Sequence, residues 1–206
     1  MILPPFIVMP ATHNGTLARR FATWRDEGGD ASIHFQPSHW MDIPTAKKYI
    51  DFLISPFPNK KVGLIWDAAS AHICEEIIEY MSETGLVYEF IPAGLTSIMQ
   101  ICDLYANHPL KAAIKKKFLQ WKISKRIPPG GKYQVDRMQV IHWVEEAVSA
   151  MNETQSSDGK IEYMFNKLGQ DLRTPNNERY QGHLSQLQES VVYSSLLQNQ
   201  PAESLE

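Results

Sequence analysis

An α/β layer fold is the class this sequence predicts, and three observations carry that prediction. Two short apolar runs, "VGLIW" (62–66) and "LVYEFIP" (86–92), have the composition of buried strands. Between them lies "SAHICEEIIEYMSETG" (70–85), whose Ile73, Ile77, Tyr80 and Met81 recur at helical spacing. A longer helical pattern starts at about Asp103, so the central order is strand–helix–strand–helix. With 206 residues, 43% hydrophobic and five Trp, the chain can bury a real core in one domain.

The elements follow in order. "MILPPFIVMP" is apolar but short, has no basic leading region and is broken by Pro4, Pro5 and Pro10. It reads as a strand at Phe6–Met9, not as a signal peptide or a membrane span. The polar stretch 11–42, rich in turn signals but carrying Trp24, Phe35 and Trp40, reads as an elaborated connection. "DIPTAKKYIDFLI" is a helix with Pro44 in its first turn and Pro56 and Pro58 beyond its end. "KKVGLIW" is a buried strand; the next helix can be capped by Ser70 and stopped by Gly85. "LVYEFIP" is a strand, and "AGLTSIMQI" is a turn-rich link to a helix over about 103–125. "PPGG" (128–131) breaks that helix, and "DRMQVIHWVEEAVSAM" and "KIEYMFNKLG" are two more. From about Thr174 the sequence is polar and Gln/Ser/Asn-rich, with only "VVYSSLL" able to order. Cys74 and Cys102 form no metal-type spacing, which suits a reducing, intracellular setting.

Chemistry concentrates where strands end. Asp67 closes the "VGLIW" strand, and Asp103 follows the next strand after one link. Carboxyl ends of strands are where α/β sheets gather functional groups, and two carboxylates there suit a hard cation such as Mg²⁺. Three or more acids would permit two metals about 4 Å apart. Each acid also has an ordinary explanation, Asp67 as a turn former and Asp103 as a helix N-terminal acid. His72, five residues past Asp67, is either a hydrogen-bonding surface histidine or a neighbour of that acid.

The net charge of −3 does not announce a nucleic-acid binder. The segment 111–126 nevertheless carries Lys111, Lys115, Lys116, Lys117, Lys122, Lys125 and Arg126 with no acidic residue. Lys111, Lys115, Lys122 and Arg126 share one helical face, beside an apolar stripe of Leu110, Ile114 and Trp121. A solvated charged face is the ordinary reading; backbone phosphate is the natural partner for an unmixed cationic stripe. Trp121 and Trp143 lie in apolar faces and are assigned to packing.

Taken in order, "LIWDAASAH", "YEFIPAGLTSIMQICDLYANHPLK" and "DRMQVIHWVEEAVSAM…MFNKLG" resemble the DDE-superfamily endonuclease domain of pogo/Tigger-like, mariner-related transposases. The resemblance runs from about Pro4 to Gly169, and its most specific part is the "IP-x-G-L-T-S-x-x-Q-x-x-D" block ending at Asp103. It implies an RNase H-like mixed sheet flanked by helices, with extra C-terminal helices, and three carboxylates binding Mg²⁺ or Mn²⁺ for DNA cleavage. Asp67 matches the second acid, Asp103 the third, and His72 the histidine that often follows the second. Asn107, Pro109, Leu110 and Lys111 fit the continuation into the basic helix. Ala68, Ala93 and Ile101 depart from the pattern, standing where the family usually or often has Asn, Pro and Pro.

The first acid of the family lies on a strand upstream of a segment like "PPFIVMP", and here no Asp or Glu precedes Asp26. The expectation is therefore a truncated DDE domain over 1–173 that lacks the first strands, followed by a polar, disordered tail at 174–206. Such a domain would be inactive alone, bind DNA weakly and nonspecifically through Lys111, Lys115, Lys122 and Arg126, and reside in the nucleus. It would use neither a membrane nor a small-molecule cofactor. Two other readings stand beside it: a metal-dependent phosphodiesterase drawing a replacement acid such as Asp30 or Asp42, and a non-catalytic scaffold.

Overall fold

The computed structural model describes residues 2–168 and Gln170, apart from His13, Asn14, His39 and Pro129. The "VVYSSLL" segment and the expected disorder of the tail lie outside the described residues.

Strand β1 (Phe6–Pro10) pairs in parallel with β2 (Ser32–Gln36), Phe6 opposite Ser32 and Pro10 opposite Gln36. Parallel partners need a crossover, usually helical. Helix α1 (Thr16–Asp26) supplies it, in the stretch expected to be an irregular connection. Polar residues and glycines obscured both elements; Phe21, Trp24 and Phe35 order them by being buried together. Helix α2 (Ile43–Ile54) begins as expected, with Pro44 in its first turn. Asp42 is its cap, accepting from the Thr45 N–H at 2.9 Å.

The second parallel pair is β3 (Gly63–Asp67) and β4 (Val87–Ile91), with Asp67 opposite Ile91. Helix α3 (Glu75–Glu83) connects them. It starts later than Ser70 would allow, because residues 69–73 form a turn in which the His72 and Ile73 N–H groups both donate to Ala69 O. Glu75 and Glu76 then occupy the first turn, where the helix dipole favours acids. Gly85, at φ 71°, takes the left-handed conformation that lets the chain reverse into β4.

A four-residue helix α4 (Thr96–Met99) and a five-residue π-helical turn (Cys102–Ala106) lead into α5 (Asn107–Ser124). Helices α6 (Arg137–Asp158) and α7 (Lys160–Lys167) complete the described chain. Helix α5 ends before Arg126, whose φ of 52° puts it outside the helix. Arg126 therefore does not share a helical face with Lys111, Lys115 and Lys122.

The architecture is mixed α/β, with seven α-helices among the described residues and short parallel strand pairs. Among the described residues the single expected sheet is two two-stranded sheets, and each has its own core. Phe21, Trp24, Ala31, Phe35, Met138 and Ile141 fill the core beside β1–β2. Ala46, Ile50, Ile77, Met81 and Leu86 fill the core beside β3–β4. Ile91, Leu95 and Met99 form a smaller cluster at the end of β4. The split has a visible consequence: Leu64, Ile65 and Trp66 of β3, expected to be buried, are only half-buried. Among the described residues no helix is long and apolar enough to cross a membrane.

Candidate functional site

Asp67 sits where β3 runs out, and the ladder continues one step beyond it, Ala68 N–H donating to Ile91 O at 3.2 Å. The turn at 69–73 then folds His72 back over the strand end. His72 Nδ1 lies 2.5 Å from Asp67 Oδ1 and 3.2 Å from the Asp67 carbonyl oxygen. With Nδ1 as the donor to this carboxylate, Nε2 is the ring nitrogen left to meet an incoming group.

The imidazole is fixed from its flat side as well. Trp66, one residue before the acid, stacks on it with ring centroids 3.7 Å apart and planes 20° apart. Carboxylate and indole together leave His72 little freedom to rotate. The side chain of His72 is 14% exposed and that of Asp67 31%, so the pair is sheltered yet open to solvent. Sequence reading paired Asp67 with His72 but missed Trp66. No pattern in the sequence pointed to it, because successive strand residues face opposite sides and the path of the 69–73 turn decides which ring His72 covers.

Asp103 lies in the π-helical turn, is exposed, and accepts from Asn107 Nδ2 at 2.6 Å. Such turns often occur at functional positions inside or beside helices. Its neighbour Cys102 exposes much of its surface, yet burial of the thiol, followed by the charge of Asp103, pushes the thiol pKa up. Burial, and then Cys102, likewise raises the Tyr49 hydroxyl. The Tyr49 ring meets Trp66 at 5.8 Å between centroids. The structure brings Asp67 and His72 into direct contact, while Asp103 bonds within its own helical segment.

These residues do not fit a two-metal clamp. Among the described residues no group of three or more His, Cys, Asp or Glu is placed to hold a metal ion. Neither suggested replacement acid joins the pair. Asp42 is occupied as the cap of α2, its carboxyl held below the usual range mainly by the Thr45 hydroxyl 2.5 Å away. Asp30 belongs to the other half of the molecule, where its N–H donates to Glu145 Oε1 at 2.6 Å.

The basic helix is partly as expected. Lys111 and Lys115 are exposed. Lys122 is half-buried, its ammonium 5.4 Å from the centre of the Tyr133 ring. Lys117 turns towards α6 and pairs with Glu146. Trp143 is 6% exposed, and with Phe118, Trp121 and Tyr133 it makes the aromatic seam that holds α5 against α6. Both tryptophans are packing residues.

A family model described as DDE superfamily endonuclease matches residues 2–158. No curated protein and no solved structure matches the chain.

Proposed function

The chain belongs to the DDE superfamily endonuclease family, and from that premise we propose that it is a transposase-derived nucleic-acid-binding domain that does not cleave DNA by itself. Within that family we assign it to the pogo/Tigger-like branch, with an RNase H-like sheet as its ancestral scaffold and the nucleus as its place of action. The family implies DNA as the ligand. What carries the loss of cleavage is the acid arrangement: Asp67 is bonded to His72, Asp103 to Asn107, and no third ligand joins them among the described residues. Two carboxylates can at most hold one hydrated Mg²⁺ or Mn²⁺, short of the pair that clamps attacking and leaving oxygens.

Lys111 and Lys115, with Lys122 released from Tyr133, provide the phosphate contacts. Such contacts position a protein on DNA without reading sequence, so binding is weak, nonspecific and steeply salt-dependent. The test is a titration with random-sequence duplex DNA at rising salt, alongside a nicking assay in Mg²⁺ or Mn²⁺. Binding that falls with salt and vanishes when Lys111, Lys115 and Lys122 become Glu is the expected result, with no nicking. Absence of affinity even at low salt would leave the scaffold reading. Nicking that disappears in Asp67→Ala would instead establish the phosphodiesterase reading.

A further inference from the structure

Helix α5 is apolar on two sides. One side packs: Phe118 and Trp121 meet Trp143 of α6, and Lys117 on the same flank pairs with Glu146. The other side carries Leu119 and Ile123, four residues apart and therefore neighbours along the helix. They are 46% and 77% exposed, and Ala112, on the same face towards the start of the helix, is exposed too. No residue of α5 is buried. Single exposed apolar residues are ordinary, but the outward face of a surface helix is normally polar. Packing against α6 gives no reason for two large apolar side chains in register on the opposite face.

Charge surrounds that stripe. From the helical pitch, Lys115 falls about 40° to one side of Leu119 and Lys116 about 60° to the other. Both lysines are exposed, and among the described residues neither has an acidic partner. No Asp or Glu occurs from Leu104 to Val135. A second copy of the chain fits this face poorly, because isologous pairing would set the lysines against one another. Backbone phosphate would suit the lysines but would lay charge over Leu119 and Ile123. The occupant that suits both is apolar along its centre and carries carboxylates at its margins.

We propose that the outward face of α5 docks an acidic amphipathic helix of a partner protein. The partner lays aliphatic side chains on Leu119 and Ile123 and sets Glu or Asp beside Lys115 and Lys116. Small Ala112 lets the partner approach closely at one end of the contact. From Ala112 to Ile123 the face is about 16 Å long, which matches about three turns of the partner. In such helix pairs the apolar seam supplies affinity and the flanking charges choose the partner. This inference does not rest on DNA binding. It shares Lys115 with that reading but depends on Leu119 and Ile123, which phosphate contacts do not use.

The probe is a synthetic helical peptide of about 18 residues, with Leu along one face and Glu on both borders, titrated against the full chain by fluorescence anisotropy. It should bind, and about tenfold or more weakly when Leu119 and Ile123 both become Ser. Affinity for random-sequence duplex DNA should be the same in that variant as in the unaltered chain. Both side chains are exposed, so an unchanged urea midpoint reports that the fold persists. The same peptide with Lys in place of Glu should bind the unaltered chain far more weakly, and Lys115→Glu with Lys116→Glu should reverse that preference. No binding of the Glu peptide, or equal binding by the serine variant, overturns the proposal. DNA affinity lost in the serine variant also overturns it, naming duplex DNA as the occupant. Dimerisation that the serine variant abolishes overturns it as well, naming a second copy of the chain. Peptide binding without any DNA affinity would leave this proposal standing and remove the DNA-binding reading.

Discussion

Asp42 shows how much a single side chain settles. Its carboxylate takes the Thr45 N–H and sits within reach of the Thr45 hydroxyl, closing the start of α2. The hydroxyl also lies 3.0 Å from Gln36 Oε1, and Gln36 donates to Trp40 O, so the cap is tied to the end of β2. Replacing Asp42 with Ala should cost about 1 kcal/mol, the usual worth of a cap. The Thr45 hydrogen bond lowers the Asp42 carboxyl below 3.8, and Arg20 does the same for Asp136. A lowered carboxyl stabilises the fold above its ordinary pKa and loses that contribution as pH falls through its lowered value. Urea midpoints should therefore drop as pH falls below about 4. Asp42→Asn, a good cap that does not titrate, should keep stability near neutral pH and soften that drop. A drop of the same size in Asp42→Asn would exclude Asp42 as a source of the acid sensitivity. At this scale the sequence was legible where a residue plays a single local part, as Pro44 does in opening α2 and Gly85 in ending α3. The Asp67–His72 pair was legible for the same reason, being five residues apart on one turn. Trp66 stacking on His72 was not, because the way the turn folds back decides which ring it covers.

Elements were legible in proportion to their periodicity. Helices α2, α5, α6 and α7 stood out because their apolar positions repeat every three or four residues. Helix α1 and strand β2 did not, since their order comes from Phe21, Trp24 and Phe35 meeting Met138 and Ile141 from far along the chain. The expected reach of the basic face to Arg126 failed for a local reason, a backbone reversal into positive φ that charge patterning does not reveal. The α5–α6 seam depends on Trp143 more than on the Lys117–Glu146 ion pair. Trp143 is 6% exposed and touches Phe118 and Trp121, whereas Lys117–Glu146 is largely solvated. Trp143→Ala should destabilise by about 3–5 kcal/mol, and Glu146→Ala by less than about 1 kcal/mol. Chemical denaturation of the two variants would check the ranking, and a reversed order would mean that charge, not packing, holds this seam.

For the whole molecule, the apolar runs reported that buried strands exist, but not that the described residues assemble them into two sheets. Sheet membership depends on which edges find partners, a long-range matter that composition does not encode. The result is two cores, one holding Ile141 and one holding Ile77, each of these residues no more than 1% exposed. Among the described residues the ties between them run largely through α2: Tyr49 against Phe6 and Trp66, Phe52 against Phe6, Lys48 beside His34, and the polar link from Gln36 to Thr45. Regions joined mainly through one helix should open as separate cooperative units. Ile77→Ala and Ile141→Ala should each cost about 2–5 kcal/mol, and hydrogen exchange in sub-denaturing urea shows where that loss is felt. Ile77→Ala should speed exchange in α3 and leave α6 unchanged, and Ile141→Ala should do the reverse. Joint responses to either substitution would mean that α2 is enough to couple the two halves.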